Sequence, residues 1–212
     1  MATPLVDLLA AAVARRANPA AAAWFAAQLS GAGDFLPAFS AAGRRLGAAE
    51  VPDPSLPFSC QGRGLDEVGR VALLLARLDS LPQGHEALVA DLFYRGDARE
   101  KQAVLRALPL LPQPARFVEL GVEAVRSSVQ TIFEAIACEN PYPADHFSGA
   151  AFNQLVLKAL FNEVSVARIA GLDRRATSEL SRMAEGYGSE RRAAGRSVPE
   201  DIAAIVALAR RD

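Results

Sequence analysis

The segment VQTIFEAIACENPYPADHFSGAAFNQLVLKALFN, residues 129–162, decides the fold class. Apolar side chains recur at helical spacing on both sides of Glu139-Asn140-Pro141-Tyr142-Pro143, so the stretch reads as two helices flanking a polar loop. Asn140 and Tyr142 each precede a proline, which favours extended backbone and makes the loop stiff. Asn140 can equally cap a turn through its own side chain.

Working outward, the same period continues. Toward the N-terminus the pattern predicts one long helix from Ala115 to about Ala137, and Asp97 to Glu100 forms a capping box for a helix that stops near Pro109. Val68, Val71, Ala72, Leu75 and Leu78 share one helix face, and Ala87 to Tyr94 repeats the pattern more briefly. Thr3-Pro4 and Asn18-Pro19 each set a capping side chain before a helix-initiating proline, and Asp34 caps a third helix to Leu46. Toward the C-terminus, Ser148 caps a helix to Asn162. Further helices are predicted at about Val164 to Ala170, Thr177 to Ala194 and Pro199 to Arg210, the last opened by a capping box at Ser197 to Glu200.

No stretch alternates as a strand does, so the chain is expected to be all-α. A faint echo of Arg77 to Pro82 in Arg106 to Pro112 suggests an irregular helical bundle or a short α-solenoid of HEAT or armadillo-like hairpins. VPDPSLPFSCQGRG, residues 51–64, is rich in proline and glycine and reads as a connector. The expected organisation is N-terminal helices at 1–50 packing on a main domain at 65–212.

The 212 residues are 51% hydrophobic, enough for a packed core, and 23 basic against 24 acidic residues leave a net charge of −1. Such balance argues against nucleic acid as a partner. Cys60 and Cys138 are far apart in sequence, which points to a reducing, cytoplasmic setting. Arg15-Arg16 follow the first apolar run, the reverse of a secretory signal, and residues 17–33 are too short and weakly apolar to span a bilayer. Peripheral membrane association is compatible with this reading. With His85 and His146 the only histidines and no paired ligand spacing, no metal or cofactor is expected.

Polar side chains gather around the opening segment. Arg126, Gln130 and Glu134 are four apart before the loop, and Gln154, Lys158 and Asn162 repeat that spacing after it. Glu139, Asn140, Tyr142 and His146 lie between, with Asn153 on the second helix. If the two helices pair, both stripes border one groove suited to a polar or phosphorylated ligand; the simpler alternative is a pair of solvated faces. The chain is poor in lysine and asparagine, yet residues 132–162 hold Lys158, one of two lysines, and three of the four asparagines. Arg191 and Arg192 form a smaller basic patch tempered by Glu185 and Glu190.

ENPYP at 139–143, FNQLVLKALF at 152–161 and ELSRMAEGYGSERRAAGRSVP at 179–199 resemble the EboA family, supported by REKQAVLRALPLLP at 99–112. The likeness covers about residues 70–205. It implies a component of a bacterial ebo-type gene cluster whose other products look like a UbiA-type prenyltransferase, a TatD-like hydrolase and further enzymes of a specialised-metabolite pathway. It carries over no catalytic residue. The resulting expectation is an accessory, non-catalytic binding or scaffold protein whose partner is another protein of the cluster or a polar or prenylated intermediate. The alternative is a cofactor-independent enzyme using Glu134 or Glu139 as acid–base group beside Lys158.

Overall fold

The computed structural model describes residues 4–210, and every element longer than an isolated bridge among them is helical. The fold is therefore all-α. The chain divides into two compact units, the first ending at Leu120 and the second starting at Gly121.

The first unit contains α1 (Pro4–Arg16), α2 (Pro19–Leu29), α3 (Phe35–Leu46), α4 (Leu65–Ser80), α5 (His85–Arg95) and α6 (Ala98–Ala107). Helices α1, α2, α3 and α6 all pack on α4. The predicted face of α4, Val68 to Leu78, is buried, and so are Leu73 and Leu74 beside it. A helix apolar nearly all round has to be surrounded, which makes α4 the centre of this unit. Asp66 and Arg70 are also buried here, 3.0 Å apart, and Arg70 Nε donates to the Phe39 carbonyl at 3.0 Å.

Caps follow the sequence in several places. Asn18 accepts from the Ala21 amide, and the Asp97–Glu100 box is complete in both directions. Asp34 stands at the N-cap of α3 without a side-chain cap bond, and Thr3 lies outside the described residues. Residues 51–64 lie within the first unit. Val51, Leu56, Ser59 and Cys60 are buried, the Val51 amide donates to Arg63, and Glu50 bridges to Gly64. Prolines shape this segment, but its apolar side chains tie it down.

The helix α7 (Val118–Val125) leads into the second unit, followed by α8 (Gln130–Ala137), α9 (Tyr142–His146), α10 (Gly149–Phe161), α11 (Leu172–Arg175), α12 (Ser178–Ala193) and α13 (Asp201–Ala209). The single helix expected from Ala115 to Ala137 is not formed. Pro114–Phe117 is a 3-10 turn, and the backbone leaves the helix between α7 and α8. There the Val129 amide donates to Ser127 Oγ, a local side-chain bond that competes with helix continuation.

The loop also differs from expectation. Tyr142 begins α9 rather than remaining extended, and Asn140 takes the turn-capping alternative by accepting from the Tyr142 amide. Ser148 caps α10 as read, and Thr177, at the start of the expected helix, caps α12. The segment Val164 to Ala170 holds only the 3-10 turn Val166–Arg168. The expected box at Ser197 does not form, because the Ser197 carbonyl and hydroxyl accept from Arg191; α13 starts later, at Asp201. The core of this unit includes Phe133, Ile136, Tyr142, Phe152, Leu155, Val156 and Leu180, each full burial of this kind contributing about 1.5–3 kcal/mol.

Candidate functional site

In the second unit two hollows lie along α10. One hollow of about 460 Å³ is bordered by Val122, Val125, Arg126, Phe147, Ala150, Ala151, Gln154 and Lys158. A second, of about 590 Å³, is bordered by Arg126, Ser127, Ser128, Gln154, Leu157, Lys158, Phe161, Asn162 and Tyr187. The shared residues Arg126, Gln154 and Lys158 join them. Gln154, Lys158 and Asn162 are one helical turn apart, so a single face of α10 forms one wall.

Lys158 is the most constrained of these groups. Its Nζ donates to the carbonyls of Val125 and Ser127 at 2.5 and 2.7 Å and lies 5.2 Å from the Phe133 ring centre. Val125 ends α7, so the ammonium satisfies a carbonyl that has no partner within its own helix. Burial holds the Lys158 pKa below its ordinary value. Carbonyls and a ring face orient a cation but do not cancel its charge, so Lys158 keeps a positive charge in the groove wall. Arg126 is exposed on the rim and pairs with Glu123 at 3.3 Å.

A different cation organises the carboxylates. Arg168 Nη1 meets Glu134 Oε2 at 2.7 Å, and its Nε and Nη2 grip both oxygens of Glu139 at 2.7 and 3.1 Å. The Arg168 carbonyl also accepts from the Glu139 amide. This double hold accompanies a left-handed backbone at Glu139, φ 47°. Burial raises the Glu134 carboxyl, but hydrogen bonds from Arg168 and Gln130 outweigh it and leave the pKa below its ordinary value. Hydrogen bonding to Glu139 drives the Arg168 pKa upward.

The expected binding residues therefore separate. Arg126, Lys158 and Asn162 line the groove, whereas Gln130, Glu134 and Glu139 belong to the Arg168 cluster and line neither hollow. Arg126 does not continue the Gln130–Glu134 stripe, because the helix breaks between them. Asn140, Tyr142 and Asn153 are buried. The Asn140 amide donates to the Ala135 carbonyl, the Tyr142 ring packs on Phe147, and Asn153 Nδ2 points toward the Met183 sulfur. Burial pushes the Tyr142 phenol upward. His146 lies against the Tyr142 ring. Arg191 is held by Ser197 and Tyr187, and Arg192 is exposed on the last turn of α12.

Several residues escaped sequence reading. The apolar walls, Val122, Val125, Phe147, Ala150, Leu157 and Phe161, are ordinary hydrophobic positions in sequence, and only the tertiary placement of α7 beside α10 brings them to one groove. Arg168 sits in a one-turn helix without periodicity, and Arg175, which donates to the Ala144 and Phe147 carbonyls, is equally silent. Among the described residues no group of His, Cys, Asp and Glu is placed to hold a metal. No helix among them is long and apolar enough to cross a membrane.

These features define a helical protein with a small-molecule-sized groove and a carboxylate pair fixed by arginine. The family model described as metabolite traffic protein EboA matches residues 5–207. The chain belongs to the EboA family, and the match takes in the N-terminal helices that the quoted motifs left uncovered. No curated protein and no solved structure matches it.

Proposed function

We propose that this chain is a non-catalytic binding protein in metabolite traffic, holding an intermediate of its pathway in the groove along α10. The observation that carries this reading is Lys158, a cation oriented by two carbonyls in the wall of a cleft of ligand size. The family description is consistent with such a role. The carboxylates named for acid–base catalysis are engaged otherwise. Glu134 and Glu139 are engaged by Arg168 and line neither hollow, and the Glu134 carboxylate, held below its ordinary pKa by its hydrogen bonds, is a weak base at neutral pH.

The test is pathway output in cells whose only copy carries Ala150→Trp. Ala150 is exposed on the groove wall, so the ring fills the cleft without entering the core. Output should fall strongly while the purified variant keeps its helical content, and Arg192→Ala should leave output unchanged. Full output from a folded Ala150→Trp protein contradicts the groove as the working site.

A further inference from the structure

We propose that the groove selects an amphiphile with one anionic group, which sits between Arg126 and Lys158 with its apolar chain in the Val122–Phe147 hollow. This deepens the binding role above and rests on it.

The two hollows differ chemically. Beyond the shared residues, the smaller one is walled by Val122, Val125, Phe147, Ala150 and Ala151, with no further polar side chain. A chain lying there exchanges water for hydrocarbon along its length. The larger one adds Ser127, Ser128 and Asn162 beside Leu157, Phe161 and Tyr187. Hydroxyl and amide groups suit the polar remainder of a ligand, and Phe161, 68% exposed, offers a bare ring at that end. Arg126 and Lys158 lie where the two meet.

Charge fixes the sign of the ligand group. Among the described residues no carboxylate pairs with Lys158, and none lines either hollow. Arg126 pairs with Glu123, but that contact is 3.3 Å long with the Arg126 side chain 72% exposed, so an incoming anion competes with it readily. Both cations line the junction of the two hollows, Arg126 with a planar fork for anion oxygens and Lys158 as a point charge behind it. Phosphate and carboxylate share this chemistry.

The probe is octyl phosphate, compared by calorimetry with octanol and inorganic phosphate on the full chain. Octyl phosphate should bind at least tenfold tighter than either. Raising salt should weaken it, Arg126→Gln should weaken it about tenfold, and Ala150→Trp should abolish it. Equal binding of octanol overturns the anionic group, and equal binding of inorganic phosphate overturns the apolar chain. No binding of any probe, or binding unchanged in both variants, overturns the assignment. Arg126 is exposed, so its variant stays informative even if Lys158→Gln fails to fold. Octanoate replacing octyl phosphate without loss supports a carboxylate source, and a large preference for the phosphate supports a phosphate ester. A natural ligand that Ala150→Trp excludes but that bears no anion would keep the groove and sink only this inference.

Discussion

The Lys158 ammonium lies 2.5 Å from the Val125 carbonyl, so a side chain of α10 closes the C-terminal end of α7. One residue thus stabilises the break between α7 and α8 and places positive charge in the groove that the break opens. Lys158→Met should lower unfolding free energy by about 1.5–3 kcal/mol, the range for hydrogen bonds to a charged group. Arg126→Gln, on the rim, should change it by less than about 0.5 kcal/mol. Urea denaturation of the two variants checks the contrast.

The Arg168 clamp predicts a pH response. The folded pKa of Glu134 is below its ordinary value of 4.5, so its contribution to stability is complete above the unfolded pKa. It is lost as pH falls through the folded value. Stability measured from pH 7 down to pH 3 should therefore decline at the acid end, and Arg168→Met should flatten this component. An acid limb unchanged in Arg168→Met would contradict the clamp.

Glu139 has φ 47°, which costs a residue with a Cβ about 1–2 kcal/mol relative to glycine. Glu139→Ala and Glu139→Gly lose the same ion pair, but only the second gains freedom at this backbone position. The glycine variant should be the more stable by about 1 kcal/mol in urea melts.

A Cβ added at Gly121 would meet the Tyr142 and Phe147 rings at 3.0 Å. Gly121→Ala should cost about 1–3 kcal/mol by overpacking, and thermal melting reads it directly. Gly149→Ala, with open space around its Cβ, is the matched control.

In the first unit, Arg70→Met leaves the buried Asp66 carboxylate with Arg99 as its ion-pair partner but removes the Arg70 bonds to Asp66 and to the Phe39 carbonyl, and should cost about 1.5–3 kcal/mol by chemical denaturation.

The helical class was legible because local signals carried it. Val68 to Leu78 repeats with the helix, and Asn18, Asp97, Ser148 and Thr177 each cap where their side chains suggest. Side-chain competition defeated the same logic elsewhere. Ser127 turns the chain inside a continuous apolar pattern, and Arg191 takes the Ser197 oxygens that a cap would have used. For the candidate site, the stripe Gln154, Lys158 and Asn162 was visible from spacing alone. Its partners were not, because Val122 and Phe147 reach the groove through tertiary placement. Asn140 and Tyr142 stood out as polar loop residues, yet local hydrogen bonding and ring packing take them into the core.

Native mass spectrometry reads whether the α10 groove holds a metabolite. Wild-type and Ala150→Trp proteins are incubated with small-molecule and protein extract of the native host cells, then transferred intact. A small molecule retained by the wild type and lost from Ala150→Trp is the predicted result. Equal retention by both, or retention of another protein with no small molecule, would contradict it.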